Sequence, residues 1–328
     1  MTSGKAKKAL ICGISGQDGT YLTRFLLDRG YEVYGTSRDA QASGFANLVG
    51  AGLIDRVGLS SMSMTDFRSV LQLLQRVKPD EVYNLAGQNS VSLSFEQPVE
   101  TLESIATGTL NLLEAIRFSR LPIRFYSAGS GEVFGNTDGI SANEMTRFAP
   151  RSPYAVAKAA AFWQVANYRE AYGLFACTGI LFNHESPLRA ERFVTKKIVA
   201  AAHRIAAGSR ETLLLGDMEI QRDWGWAPEY VEAMWLMLQR DVPEDFVIAT
   251  GSTRMLKEFV AEAFRQVSLD WENHVRSDKA LLRPSEIRRA DADPNRAARE
   301  LGWKATHDMD DVVRLMMEAE KGARYADR

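Results

Sequence analysis

Seven residues near the N-terminus, Gly13-Ile14-Ser15-Gly16-Gln17-Asp18-Gly19, constrain this chain more than any other stretch. They follow a short apolar run, 9–12, and open an amphipathic run, 21–29, that stops at Gly30. Glycines at this spacing let a strand turn sharply into a helix and let backbone N–H groups at the positive helix end approach a pyrophosphate. A tight turn needs glycine with or without a ligand. The strand-turn-helix setting is what makes a dinucleotide the expected occupant.

Beyond the loop the same alternation continues. Apolar β-type runs at 9–12, 31–35, 81–85, 124–127 and 175–182 are separated by helical runs that include 67–77 and 107–118. This is the pattern of βαβ units feeding a parallel sheet, with ligands bound beyond the carboxyl ends of the strands. A length of 328 residues leaves room for about two domains. The expected fold is α/β: a doubly wound parallel sheet of the Rossmann kind over 1–182, with a returning segment at about 228–252. A smaller, interleaved α/β substrate-binding domain takes 183–227 and 253–328. In that half 183–192 reads as a polar loop, 217–228 lacks helical period, and 246–249 reads as a strand. Helices are expected at 193–207, 229–239 and 256–267, and the charged tail from 278 reads as helical.

Charge and cysteine usage narrow the function classes. The 40 Lys+Arg nearly balance the 42 Asp+Glu, and no block of like charge suggests a nucleic-acid or membrane-binding tail. An anionic ligand must therefore be held by a few placed cations. Cys12 and Cys177 both fall in β-type runs and read as buried thiols, with neither a disulfide framework nor a CxxC metal pair, so no metal is expected. Lys5, Lys7 and Lys8 before the apolar run imitate a signal peptide, but the run ends within four residues and no stretch of about 18 apolar residues occurs. A soluble cytoplasmic protein is expected.

Two further segments carry chemistry. Arg38 stands at the end of the second β-type run, where an NAD-binding protein places an acid against the ribose. A guanidinium there favours NADP through the 2′-phosphate, although Asp39 follows and NAD stays open. In Ser152-Pro153-Tyr154-Ala155-Val156-Ala157-Lys158, Ser152 can cap a helix that starts at Pro153. Tyr154 and Lys158 then project from one face, and an ammonium near a phenol stabilises the phenolate. With Ser130 after the run 124–127 they form a Ser-Tyr-Lys set for alcohol oxidation. Glu132, two residues beyond Ser130, offers a second acid-base group.

The segments GISGQDGTYL, EVYNLAGQ, APRSPYAVAK, NYREAYGLFACTGILFNHESPLR, QRDWGWAPEYVEAMWLMLQ and LLRPSE cover nearly the whole chain. Together they resemble the extended short-chain dehydrogenase/reductase family and, within it, the GDP-mannose 4,6-dehydratases. That resemblance implies conversion of GDP-mannose to GDP-4-keto-6-deoxy-mannose, by internal hydride transfer from C4 to C6 through tightly bound, recycled NADP with loss of water. It implies Tyr154 as base at the 4-hydroxyl, Lys158 as its partner, Ser130 on the O4 oxygen and Glu132 as the group that removes the C5 proton. For the cofactor it implies Gly13, Ile14, Ser15, Gly16, Gln17, Asp18, Arg38, Ser63, Met64, Leu85, Ala86, Gly87, Gln88, Asn89, Tyr154, Lys158, His184 and Arg189. For the GDP-sugar it implies Gln88, Ser130, Glu132, Asn183, Lys197, Arg222, Arg283 and Glu286, with the two arginines on the diphosphate.

The chain departs from the family pattern in three places. Arg38-Asp39-Ala40-Gln41 replaces an Arg-Arg-Ser-Ser stretch that contacts NADP and a neighbouring subunit, which leaves homodimer and homotetramer both open. Ser63 stands where many relatives carry Asp, and Gly131 replaces a small hydroxyl residue. Other readings on the same scaffold are a dehydratase of a related GDP-sugar such as GDP-manno-heptose, a 4-keto-nucleotide-sugar reductase or 4-epimerase, and a non-catalytic NADP-binding sensor.

Overall fold

The computed structural model describes residues 5–326. Residues 1–4 and 327–328, which the expected domain spans include, lie outside the described residues. In β1 (Lys8–Cys12) Ala9 and Ile11 enter one buried cluster, and Leu10 and Cys12 another. Both faces of the strand are covered, which is why the run is apolar throughout rather than alternating. The chain continues through β2 (Glu32–Ser37), β3 (Gly58–Ser61), β4 (Glu81–Asn84), β5 (Arg124–Ala128) and β6 (Ala176–Leu181). The second half holds β7 (Asn183–Glu185), β8 (Leu213–Leu215), β9 (Gln221–Trp226), β10 (Phe246–Ile248), β11 (Thr253–Met255) and β12 (Val275–Ser277).

Seven strands form one sheet in the order β3-β2-β1-β4-β5-β6-β10, with every neighbouring pair parallel. The chain winds outward from β1 in one direction and from β4 in the other, so a crevice opens between their carboxyl ends. Helices Gln17–Asp28 and Ala227–Gln239 pack on one face, and Phe67–Val77, Gly108–Ser119 and Pro153–Tyr172 on the other. This is the expected doubly wound α/β sheet. A third buried cluster, built from residues such as Val199, Leu213, Trp224, Phe259 and Met316, lies under the second half. That half also holds a three-stranded sheet, β11-β9-β7, and the two-stranded pair β12-β8.

Three local readings change. The stretch 183–192 is not all loop, because Asn183–Glu185 pairs in parallel with β9. β9 in turn supplies the strand hidden in 217–228, with Arg222 to Gly225 buried. Both strands are specified by tertiary pairing, β9 with β11 as well as β7, rather than by local pattern. The tail from 278 is helical only at Asn295–Glu300 and Met309–Ala326 among the described residues beyond a single turn at Lys279–Leu281. Pro284 and Pro294 disfavour a helix between them, and that segment instead forms bridges, Gln221 to Arg289 and Ala142 to Ala292.

Cys12 and Cys177 are both buried, as expected. Burial pushes the Cys12 thiol up to about 12 and Cys177 higher still, so neither carries the thiolate that reactivity requires. At the amino end of the central strand β4, away from the crevice, the buried Glu81 carboxylate accepts hydrogen bonds from Lys7, Tyr31, Tyr83 and Gln239. Four donors compensate its desolvation and tie β4 to the N-terminal segment and the Ala227–Gln239 helix. No helix among the described residues is long and apolar enough to cross a membrane.

Candidate active site

The glycine loop meets its neighbours backbone to backbone. Gly13 has φ +86°, and a Cβ there would lie 2.9 Å from the Leu85 carbonyl at the end of β4. A Cβ on Gly19 would lie 2.4 Å from the Gly13 oxygen, so the helix can start directly against the loop only with glycine. Gly16 differs: a Cβ there would have ordinary contact with the Gly13 oxygen, at 3.4 Å, and its surface is exposed. It is the N-cap of the Gln17–Asp28 helix, and no side chain caps that terminus. The first-turn N–H groups are thus available to an anion, which is the fit a dinucleotide pyrophosphate requires.

The loop is stitched to the NHES segment of the second half. Gln17 donates to the His184 carbonyl at 3.1 Å and accepts from the Ser186 hydroxyl at 2.8 Å. Its side chain is therefore committed to the protein. His184 lies between two acceptors, the Phe182 carbonyl at 2.8 Å and the Asp18 carboxylate at 2.9 Å. Burial would raise the Asp18 carboxyl, but the His184 charge and hydrogen bonds from His184 and Gln17 outweigh it and hold it at about 2. Burial would lower the imidazole, and Asp18 outweighs that and raises it.

These shifts set a pH window. The Asp18 contribution is present above the unfolded carboxyl value near 4 and is lost as pH falls toward 2, because its folded value is depressed. The His184 contribution is full below about 6.5 and fades as pH rises through the raised folded value. Asp18→Asn should therefore cost roughly 2 kcal/mol between about pH 4.5 and 6.5, and less on either side. Urea unfolding of both proteins across pH measures this; a cost independent of pH would overturn the ion-pair assignment.

Ser130, Glu132, Tyr154 and Lys158 line one cleft at the carboxyl ends of β5 and β6. Ser130 caps the Gly131–Phe134 turn through its hydroxyl, and Ser152 caps the Pro153–Tyr172 helix by accepting from the Ala155 N–H at 3.1 Å. The cap and Pro153 put Tyr154 and Lys158 on adjacent turns facing the cleft, as the spacing predicts. The Lys158 ammonium donates to the Ala128 carbonyl at 2.7 Å and lies 5.7 Å from the Tyr154 ring centre. Burial pushes the phenol up to about 12, against a lowering by Ser130, and the same burial brings Lys158 down to about 8. Desolvation thus outweighs the expected stabilisation of a phenolate by Lys158. Gly131 is buried beneath this set, and a Cβ on it would lie 2.9 Å from the Phe182 ring, which stacks on Phe134.

The far wall carries cations. Arg222 on β9 is 3% exposed and donates to Glu286 at 3.0 Å and to the Gln221 carbonyl at 3.0 Å. Arg283 donates to the same Glu286 oxygen at 3.0 Å and to Ser92 at 3.3 Å. Arg189 is held by Glu185 at 3.1 Å, with its guanidinium over the Phe193 ring. These cations and the acid-base residues line one continuous cleft.

The profile of the family described as GDP-mannose 4,6 dehydratase matches residues 10–316. The chain belongs to this family. GDP-mannose 4,6 dehydratase 1 of Arabidopsis thaliana is 46% identical over 324 residues, covering 96% of this chain and 90% of that protein. GDP-mannose 4,6 dehydratase of Homo sapiens is 41% identical, covering 95% of this chain and 91% of that one. Among solved structures, the Thermus thermophilus UDP-glucose 4-epimerase complex with NAD superposes with a TM-score of 0.84 at 25% identity, covering 96% of this chain and 99% of that one.

For this member of the GDP-mannose 4,6 dehydratase family, not every expected residue faces the cleft. Asp18, Leu85, Asn89, Asn183, His184, Arg189, Arg222 and Arg283 line it with the four acid-base residues. Gln88 turns into its own loop, bonded to Ser90 and Thr101, and Lys197 donates to the Leu214 carbonyl. Ile14 is buried under β2 and Ser15 is exposed, with its carbonyl accepting from Asn47. Ala86 and Gly87 lie along the loop after β4, where Gly87 has φ +119°. Ser63 bonds Thr65, and Met64 accepts from Asn111 through its carbonyl. Arg38 is exposed and pairs with Glu100 at 3.5 Å. Sequence reasoning missed Glu185, whose four-residue spacing to Arg189 was the available signal, and Arg192, which reaches Asn89 across the cleft mouth at 3.1 Å without any motif to mark it.

Proposed function

We propose that the protein is a GDP-mannose 4,6-dehydratase that uses NADP and forms GDP-4-keto-6-deoxy-mannose. The observation that carries this reading is Glu132 in the same cleft as Ser130, Tyr154 and Lys158. The latter three suffice for oxidising an alcohol, and a reductase or 4-epimerase needs nothing more. A dehydratase also needs a base at C5 and an acid for the departing hydroxyl, and one carboxyl group can serve both in turn. When bound, the nicotinamide dinucleotide supplies a reversible two-electron carrier and a delocalised positive charge. Tyr154 takes the proton of the 4-hydroxyl, Ser130 donates to that oxygen as charge develops, and Lys158 stabilises the ionised phenol. Arg222 and Arg283 hold the diphosphate. The sheet half thus serves the dinucleotide, and the interleaved half the nucleotide sugar. Incubation with GDP-mannose and NADP+ should give a 4-keto product without accumulating NADPH. Stoichiometric NADPH consumption with a keto sugar would sink the dehydratase reading in favour of a reductase.

NADP over NAD is supported by what Asp39 does. Its carboxylate accepts from the Gln41 and Ala42 N–H groups at 2.9 and 3.1 Å, so it serves the turn and not a ribose. Arg38 is held only by an exposed ion pair, which costs little to exchange for a 2′-phosphate. Arg38→Ala should weaken NADP binding roughly tenfold or more and leave NAD binding unchanged. Titrations with both dinucleotides measure this, and equal losses would overturn it.

The reading extends to a homo-oligomer, a dimer or a tetramer. Val156 and Trp163, seven apart on one helix face, are exposed, as are Leu110 and Phe118 on the helix packed beside it. Apolar surface of this kind on two adjacent helices marks an association face. Sedimentation velocity should find a dimer or larger, and a monomer at micromolar concentration would reject this.

A further inference from the structure

Four arginines line the cleft, and three of them already have a carboxylate. Arg189 is matched by Glu185, and Arg222 and Arg283 share Glu286. Arg192 is the exception. Among the described residues its contacts are the Asn89 side-chain oxygen at 3.1 Å and the Phe193 ring, 5.0 Å from its guanidinium. The neighbouring carboxylate, Glu191, is taken by Arg204 at 2.7 Å. Arg192 thus brings to the cleft a positive charge that no ion pair offsets. It is also exposed, whereas Arg222 is buried and Arg283 lies between them in exposure.

Its place in the fold ties it to the same wall as Arg283. Arg192 stands directly before Phe193, the N-cap of the Val194–Ala206 helix, and Phe193, Val194 and Thr195 line the cleft beside it. Across the mouth it ends on Asn89, three residues from Ser92, on which Arg283 ends at 3.3 Å. Two guanidinium groups from separate segments of the second half therefore converge on one stretch at the start of the Val91–Glu96 helix. The Phe193 ring, which also carries Arg189 at 3.9 Å, keeps the Arg192 side chain along the wall. Exchanging the Asn89 oxygen for a phosphate breaks no ion pair and gains a full charge. At an exposed position such a charge acts chiefly on the rate of encounter and its salt dependence, whereas a buried one acts on release.

We propose that Arg192 is a third diphosphate-binding residue, the one that captures the nucleotide sugar: it leaves Asn89 for a phosphate at the cleft mouth before the diphosphate settles on Arg222 and Arg283. This rests on the reading of the cleft given above, in which those two arginines hold the diphosphate. The three arginines then divide the work by depth. Arg192 sets how fast the ligand arrives, and the buried Arg222 how slowly it leaves.

The test is binding of GDP-mannose to the full chain loaded with NADPH, which cannot accept a hydride and so leaves the sugar unreacted. Stopped-flow tryptophan fluorescence gives the association rate, and calorimetry the dissociation constant at the same salt concentrations. Arg192→Gln keeps a donor for Asn89 but no charge. At about 0.1 M salt it should slow association and raise the dissociation constant about three- to tenfold. The gap should close toward about 1 M salt, where the screening length falls to about 3 Å. Arg192→Lys keeps the charge and should stay within about twofold of the unaltered protein. NADPH affinity should be the same in all three. Rates and constants unaltered in Arg192→Gln at every salt concentration would overturn the inference. So would a normal Gln variant beside a slow Lys variant, which would assign the residue to its bond with Asn89, or a loss confined to NADPH, which would assign it to the dinucleotide. Failure of GDP-mannose to bind the unaltered protein would overturn the reading of the cleft itself.

Discussion

Glu132→Gln lowers turnover of GDP-mannose by about 10²- to 10⁴-fold, the range that a positioned acid-base group contributes. The amide preserves the shape of the side chain but can neither take the C5 proton nor return one to the leaving hydroxyl. Glu132 lies in the cleft with Tyr154 but outside the glycine loop and the NHES segment, so dinucleotide affinity should be unchanged. Exchange of the C5 hydrogen with solvent deuterium should disappear together with product. Mass spectrometry reads both, and turnover within tenfold of the unaltered enzyme would remove Glu132 from the mechanism.

Arg222→Met should raise the dissociation constant for GDP-mannose by about 10²- to 10³-fold. Truncating one partner of a buried charge pair costs roughly 2–5 kcal/mol, much of it from the charges left behind. Arg222 is 3% exposed and bonded to Glu286, so its removal strands that carboxylate and, on the proposed function, a ligand phosphate as well. Arg283→Met should cost less, because that side chain is partly exposed and screened. Equilibrium binding to the NADP-loaded protein compares the two, and equal or negligible losses would show that the buried position carries no special weight.

The elements that built the sheet were legible because each is specified locally. The apolar run at β1, the glycines at 13 and 19, Asp66 capping the Phe67–Val77 helix and Ser152-Pro153 opening the next site helix all act within a turn of themselves. β7 and β9 were not legible, since each is a strand through pairing with distant segments, β7 with β9 and β9 with β11 as well. β3, an edge strand of sequence GLSS, is set in the sheet by pairing with β2 rather than by its own pattern. In the site, residue types and spacing picked out Ser130, Tyr154 and Lys158, which line one cleft. They did not reveal that Lys158 bonds the Ala128 carbonyl, or that burial would outweigh its effect on the phenol. Arg222, Arg283 and Glu286 lie up to 64 residues apart, and no local period links them.

Gly131 and Phe182 share one volume, and that has a consequence for the order in which sequences of this kind can change. A serine or threonine at position 131 would drive its Cβ into a ring that is itself wedged against Phe134. The ring would have to shrink or leave first. Reached in the other order, the intermediate strains the turn that carries Ser130 and Glu132. Gly131→Ser alone should be costly, while the same change after Phe182→Leu should be tolerated. The two positions are thus coupled as a ratchet: once the ring has filled the space, the path back to a hydroxyl residue at 131 runs through position 182.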